Sequence, residues 1–180
     1  MSTKGFTLVE TMVAIAVVAI TIIGPLYALQ QGVVASYAAR DKLVASALAQ
    51  EGLEFVYGVR NNNYLYNTAN VVPRSWFYGL DGTDGSPNCT VSRQCTVDTI
   101  NIGGVPVREC TGSCTPLNLS TTGLYSHNAP NASNVATRFT RTVTLTPISS
   151  REMQVSVRVS WTTAKIPYSI TISENMQNWL

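Results

Sequence analysis

The sequence predicts an α+β protein in which one long N-terminal helix packs on a C-terminal antiparallel β-sheet. The helix is expected to be apolar in its first half and amphipathic in its second. Thr11 to Leu29 contain no charged side chain, and the next charge after Glu10 is Arg40. Apolar residues then recur with a helical period as far as Val56, and from Arg138 onward three segments alternate apolar with polar residues. A length of 180 residues fits one domain with an appendage.

The uncharged run is long enough to cross a bilayer, since about 20 apolar residues at 1.5 Å each span the hydrocarbon core. A removable secretory signal needs a basic start, a shorter apolar core and a small-x-small cleavage site. Here a single Lys4 precedes a longer run, and Glu10 interrupts its start. Further along, Val34, Tyr37, Ala38, Val44, Ala45, Leu48, Ala49, Gly52, Phe55 and Val56 share one helical arc. Arg40, Gln50, Glu51 and Glu54 fall opposite; Asp41 breaks the arc, and Leu43 and Leu53 lie on the polar side. One helix from Phe6 to about Tyr57 follows, on the order of 75–80 Å long. Gly58 and Asn61-Asn62-Asn63 are its expected stop. Gly24-Pro25 interrupts the apolar half, and a proline there predicts a kink or local unwinding.

Residues 61–137 read as a loop-rich variable region. Trp76-Phe77-Tyr78 opens it, DG and SPN turn signals follow, and TINIGGVPV suits a hairpin about Gly103-Gly104. Residues 111–137, rich in Thr, Ser, Asn and Gly, read as loop. The four cysteines, Cys89, Cys95, Cys110 and Cys114, all lie in this region. Clustered cysteines in even number indicate disulfides in an oxidising compartment. Three pairings are open; the local one, Cys89 with Cys95 and Cys110 with Cys114, is the simplest. Spacings of C-x5-C and C-x3-C suit common zinc modules poorly.

The last region, 138–180, reads as an antiparallel β-meander. Phe139, Arg141, Val143 and Leu145 alternate with Arg138, Thr140, Thr142 and Thr144. Met153, Val155, Val157, Val159 and Trp161 form a second apolar set, and Ile166, Tyr168, Ile170 and Ile172 a third. Short connections join them. The apolar sheet face requires a cover, and the helix arc from Val34 to Val56 is the available one.

KGFTLVE, Lys4 to Glu10, followed by an immediate apolar run, resembles the N-terminus of type IV prepilins and pseudopilins. The likeness covers KGFTLVETMVAIAVVAI closely and the order helix, loop, sheet more loosely. LAQEGLEFVYGVRNN also resembles the helix end of minor-pilin-like prepilins. The resemblance implies cleavage between Gly5 and Phe6 by a membrane-embedded prepilin peptidase, N-methylation of Phe6, and a leader of residues 1–5. Residues 6–30 then form a transmembrane assembly helix, and 31–60 the amphipathic helix of the globular domain. Glu10, with the amine of Phe6, becomes an assembly residue. The proline of the best-known pilins lies a little further along than Pro25. No terminal cysteine pair encloses a conventional receptor-binding loop.

Other motifs have ordinary explanations. Asp81 and Asp84 lack the spacing of an EF-hand loop, and turn chemistry accounts for the DG pairs, so no calcium is expected. His127, the sole histidine, has no nucleophile signature beside it. Trp76, Trp161 and Trp179 are expected to pack rather than stack on ligands. Sequons at Asn88, Asn118 and Asn131 arise readily in Thr- and Asn-rich loops. Arg138, Arg141, Arg151 and Arg158 could form a basic patch at the sheet edge, but a formal net charge of +2 does not favour DNA as a partner. With 12% charged residues and no nucleophile–base constellation, the chain reads as an exported, non-enzymatic protein without cofactor.

The leading expectation is therefore a structural subunit, of minor type, of a type IV pilus or related pseudopilus. Its partners would be other pilins, the peptidase/methylase and the assembly platform. Before assembly it would cross the cytoplasmic membrane once, with the globular domain outside. The alternative is a single-pass anchored extracellular binding protein that never polymerises.

Overall fold

The computed structural model describes residues 5, 7–81, 89–100, 106–127, 133–163 and 165–178. Met1 to Lys4, Phe6, Asp84, Asn88, Gly103-Gly104, Asn131 and Trp179 lie outside them. Two compact units divide the chain, Met1–Asp41 and Lys42–Leu180.

A single helix, α1 (Leu8–Ala69), contributes to both units. It starts where Thr7 supplies a cap: the Glu10 N–H donates to Thr7 Oγ1 at 3.3 Å, and the Thr11 N–H to the Thr7 carbonyl at 3.2 Å. Thr7-Leu8-Val9-Glu10 thus has the spacing of a capping box, with Glu10 in the first turn, where the helix dipole favours an anion. In the first unit the apolar side chains lie on every side of the helix and are exposed, Ile20 and Leu29 among them. The window apolar enough to cross a membrane is 0% buried. Gly24-Pro25, where a kink or local unwinding is expected, lies within the continuous span of α1. Proline removes one donor, to the Thr21 carbonyl, and the turns on either side keep their own hydrogen bonds.

In the second unit α1 outlasts its predicted stop by several residues. Asn63 faces inward, its amide donating to the carbonyls of Trp76 (3.1 Å) and Tyr78 (2.9 Å). Asn67 brackets the Arg74 backbone, donating to its carbonyl and accepting its N–H, both at 2.9 Å. Asn63, part of the run that reads as a stop, is a tertiary anchor for the segment that follows, and so is Asn67.

The sheet comprises β1 (Gln94–Val97), β2 (Val107–Glu109), β6 (Thr140–Ser149), β7 (Glu152–Thr163) and β8 (Ile166–Gln177), ordered β2-β1-β6-β7-β8. All neighbours are antiparallel. The meander is as the alternation predicts: Val143 faces Val157, and Val157 faces Ile172. Residues 111–137 are less irregular than their composition suggests. Here β3 (Asn118–Ser120), β4 (Tyr125–Ser126) and β5 (Asn134–Ala136) pair as a second sheet, ordered β4-β3-β5. Strands of two or three residues are too short to show period-2 alternation, so only their pairing reveals them.

Between helix and sheet lies one core. Ala45, Leu48, Ala49, Leu53 and Val56 join Val143, Leu145, Val155, Val157, Val159 and Trp161 in it. Leu53, expected on the polar side, is buried; Val34 and Tyr37, expected on the packing arc, are exposed. Small residues at 45, 49 and 52 bring the helix close, and the closest point holds the charges described next. Tyr125, Phe139, Trp161 and Tyr168 make an aromatic chain at centroid distances of 6.4, 6.0 and 5.8 Å, joining the small sheet to the large one. Along β8 the predicted apolar face is only partly covered: Ile166 and Tyr168 remain exposed, and Met176 is the buried residue.

Candidate functional site

Two groups of residues carry chemistry, one in each unit. The first is the start of α1. Gly5 is exposed, and a Cβ built on it meets nothing within 4 Å. Its backbone is not in the left-handed region that favours glycine. Among the described residues nothing crowds this position, so packing against them does not require a glycine here. Gly24 is equally open. Glu10 projects from an exposed first turn and has no salt-bridge partner among the described residues. Phe6, the other sequence-identified assembly residue, lies outside the described residues.

The second group is buried. Arg141 on β6 is the largest fully buried side chain, at 0% exposure. Its place in the alternation, in phase with Phe139, Val143 and Leu145, put it on the apolar face. The structure therefore removes it from the predicted basic patch. Arg138, Arg151 and Arg158 are exposed, and the patch of four does not form. Arg141 Nη1 donates to the Leu48 carbonyl (3.2 Å) and Nη2 to the Val97 carbonyl (2.8 Å), linking α1, β1 and β6. The Glu51 carboxylate stands 3.3 Å from Nη1 and also accepts the Thr99 hydroxyl. Burial pushes the Arg141 guanidinium below its ordinary pKa, and Glu51 and Asp98 oppose that shift.

Asp98, itself buried, accepts the N–H groups of Ile100 and His127, each at 3.1 Å. His127 Nδ1 lies 3.3 Å from Thr115 Oγ1, while Nε2 is buried without a hydrogen-bond partner. Burial lowers the His127 pKa, with Arg141 and then Arg108 adding repulsion; Asp98 opposes them. Glu51, Asp98 and His127 had no role in the sequence reading. The signal that could have found them is Arg141's phase, since a charge on an apolar strand face demands acceptors. The Arg141 contacts with Leu48, Val97 and Glu51 bind helix to sheet.

The cysteines pair locally, Cys89–Cys95 and Cys110–Cys114, with Cα separations of 5.6 and 5.0 Å. Cys95 lies on β1 within the core, so the first bridge ties the preceding loop to the sheet. Among the described residues no group of His, Cys, Asp or Glu could hold a metal ion. Asp81 accepts the Ser75 hydroxyl at 2.8 Å, and Asp84 lies outside the described residues.

Residues 1–24 match the family model of the prokaryotic N-terminal methylation motif, the type IV prepilin signature. No curated protein and no solved structure matches the chain. The motif supports a type IV prepilin-like protein, and the apolar helix is long enough to cross a membrane.

Proposed function

We propose that the chain is a structural subunit, of minor type, of a type IV pilus or pseudopilus, cut between Gly5 and Phe6 and methylated on Phe6. The match of residues 1–24 to the methylation motif carries this reading. Residues 1–5 are then a leader, and residues 6–30 the segment that moves from lipid into a fibre core. The fully exposed apolar surface of that segment supports the reading, because it needs lipid or other helices around it.

Glu10 supplies the register. An ionised carboxylate at membrane depth costs about 2.5–3.5 kcal/mol on insertion scales. Cleavage exposes an ammonium at Phe6, with an unperturbed pKa of about 8. Pairing the two between subunits offsets the burial cost and favours one axial position for the incoming helix. Within one chain, Phe6 and Glu10 are also spaced i, i+4, which is the competing geometry. Gly24-Pro25, with one backbone hydrogen bond already missing, is the proposed point of opening on assembly.

Mass spectrometry of the mature protein tests processing. N-methylated Phe6 is the expected terminus; an intact Met1 or a cut beyond Leu29 would instead indicate an anchored, non-polymerising protein. Glu10→Ala is expected to be processed normally and lost from sheared fibres. Normal incorporation of that variant would remove the assembly role.

A further inference from the structure

The last turns of α1 and the segment after it line a cleft of about 890 Å³. Its walls include Arg60, Asn61, Tyr64, Arg74, Trp76 and Asn178, and none of the described lining residues is an aspartate or glutamate. The size is that of a small-molecule site, and the mixture of ring faces with a few polar groups is typical of one.

Arg74 is the most constrained of these residues. Its guanidinium carbon sits 4.0 Å from the Tyr66 ring centroid and 4.9 Å from that of Tyr78, so two aromatic rings hold the cation. Asn67 fixes its backbone from both sides. Its Nε is buried and has no hydrogen-bond partner. Its Nη groups make no hydrogen bond among the described residues, and they are the donors that a ligand in the cleft would meet. Arg60 donates Nη2 to the Gln177 carbonyl at 2.6 Å and Nη1 to Asn61 Oδ1 at 3.4 Å, which leaves about three of its five N–H groups for another partner.

Two planar cations with no carboxylate among the described lining residues select an anion, and their fork geometry suits a carboxylate. Tyr64 and Trp76 offer flat apolar faces, and Asn61 and Asn178 offer amides that both donate and accept. We propose that this cleft binds an acidic sugar of the uronate class. The carboxylate sits on Arg74 and Arg60, the ring lies against Trp76 or Tyr64, and the hydroxyls meet the asparagine amides. Nucleic acid fits less well. Its backbone presents a charge every few ångströms and calls for a run of cations, whereas two arginines line this cleft.

The test is isothermal titration of the full chain in detergent micelles with a tetragalacturonate, a neutral glucose tetramer and a short oligothymidylate. The acidic tetramer should bind at least about tenfold more tightly than either of the others, as charged hydrogen bonds require. Arg74→Met, which keeps the side-chain stem between the tyrosines, should weaken that binding by about tenfold or more, as should Arg60→Gln. Arg93→Gln, which removes an exposed arginine outside the cleft, should leave it unchanged. Equal affinity for the neutral tetramer, tighter binding of the oligothymidylate, or unchanged binding by both cleft variants would overturn the proposal. Fibre assembly plays no part in this measurement, so its outcome and that of the processing test are independent.

Discussion

Gly52 of α1 stands directly against Arg141 of β6. A Cβ built at position 52 would lie 3.0 Å from Arg141 Cδ and 3.0 Å from Val157 Cγ1. The contact is made with the middle of the arginine stem and with a buried valine, so neither neighbour can swing away cheaply. Overpacking of this kind costs about 1–3 kcal/mol. Replacing a helical glycine by alanine returns about 0.8–1 kcal/mol of propensity. Gly52→Ala is therefore expected to destabilise the protein by about 1 kcal/mol, read as a lower midpoint in chemical denaturation. A raised midpoint would show that the helix can back away from the sheet.

Arg141 and Glu51 are expected to differ in cost although they form one ion pair. Arg141 is wholly buried, holds two backbone carbonyls and faces buried Asp98. Arg141→Met strands these acceptors, a loss of about 3–5 kcal/mol. The Glu51 side chain is 40% exposed, so water screens its charge, and Glu51→Gln should cost no more than about 1 kcal/mol. Equal losses in denaturant titrations would mean that the ion pair, rather than the carbonyl contacts, is the dominant tie.

His127 makes stability depend on pH. Burial, Arg141 and Arg108 hold its folded-state pKa below the ordinary 6.5, with Asp98 opposing. The fold thus favours neutral imidazole, and the unfolded chain takes up the proton first as pH falls. The contribution is fully present above about pH 6.5 and is lost as pH falls from there through the lower, folded-state value. Melting temperatures taken between pH 7.5 and 5 should fall less steeply for His127→Gln than for the parent. Parallel slopes would show that other groups carry the acid sensitivity.

The two disulfides close loops with sequence separations of 6 and 4. Chain entropy alone assigns about 2 kcal/mol to each. Cys89 and Cys95 are also core residues, 1% and 0% exposed, so removing that pair adds a packing loss. The double variant Cys89→Ala/Cys95→Ala should therefore lower the denaturation midpoint more than Cys110→Ala/Cys114→Ala. The reverse order would place the structural weight on β2 instead.

Much of this architecture is written in local patterns. Period-2 alternation located β6, β7 and β8, because a sheet with one buried face repeats every second residue. An uncharged run long enough for a bilayer located the first half of α1, and KGFTLVE marked the methylation motif at its start. The small sheet was not legible, since Asn118–Ser120 and its partners are too short to carry a period. The end of α1 was misplaced because asparagine has two uses. It stops a helix when its amide turns back on its own backbone, and anchors a later turn segment when the amide points inward, as at Asn63.

By itself, then, the sequence determined the order of elements, the apolar helix, the in-phase position of Arg141 with Phe139, Val143 and Leu145, and the N-terminal methylation motif. Periodicity, hydropathy and motif spacing are properties of neighbours in the chain. Only the tertiary structure decided what Arg141 meets. Leu48, Glu51, Val97 and Asp98 lie far from it in sequence, and only folding brings their oxygens to one guanidinium. The cleft beside Arg74 is of the same kind, because only folding brings Arg60, Arg74 and Asn178 to line one cavity.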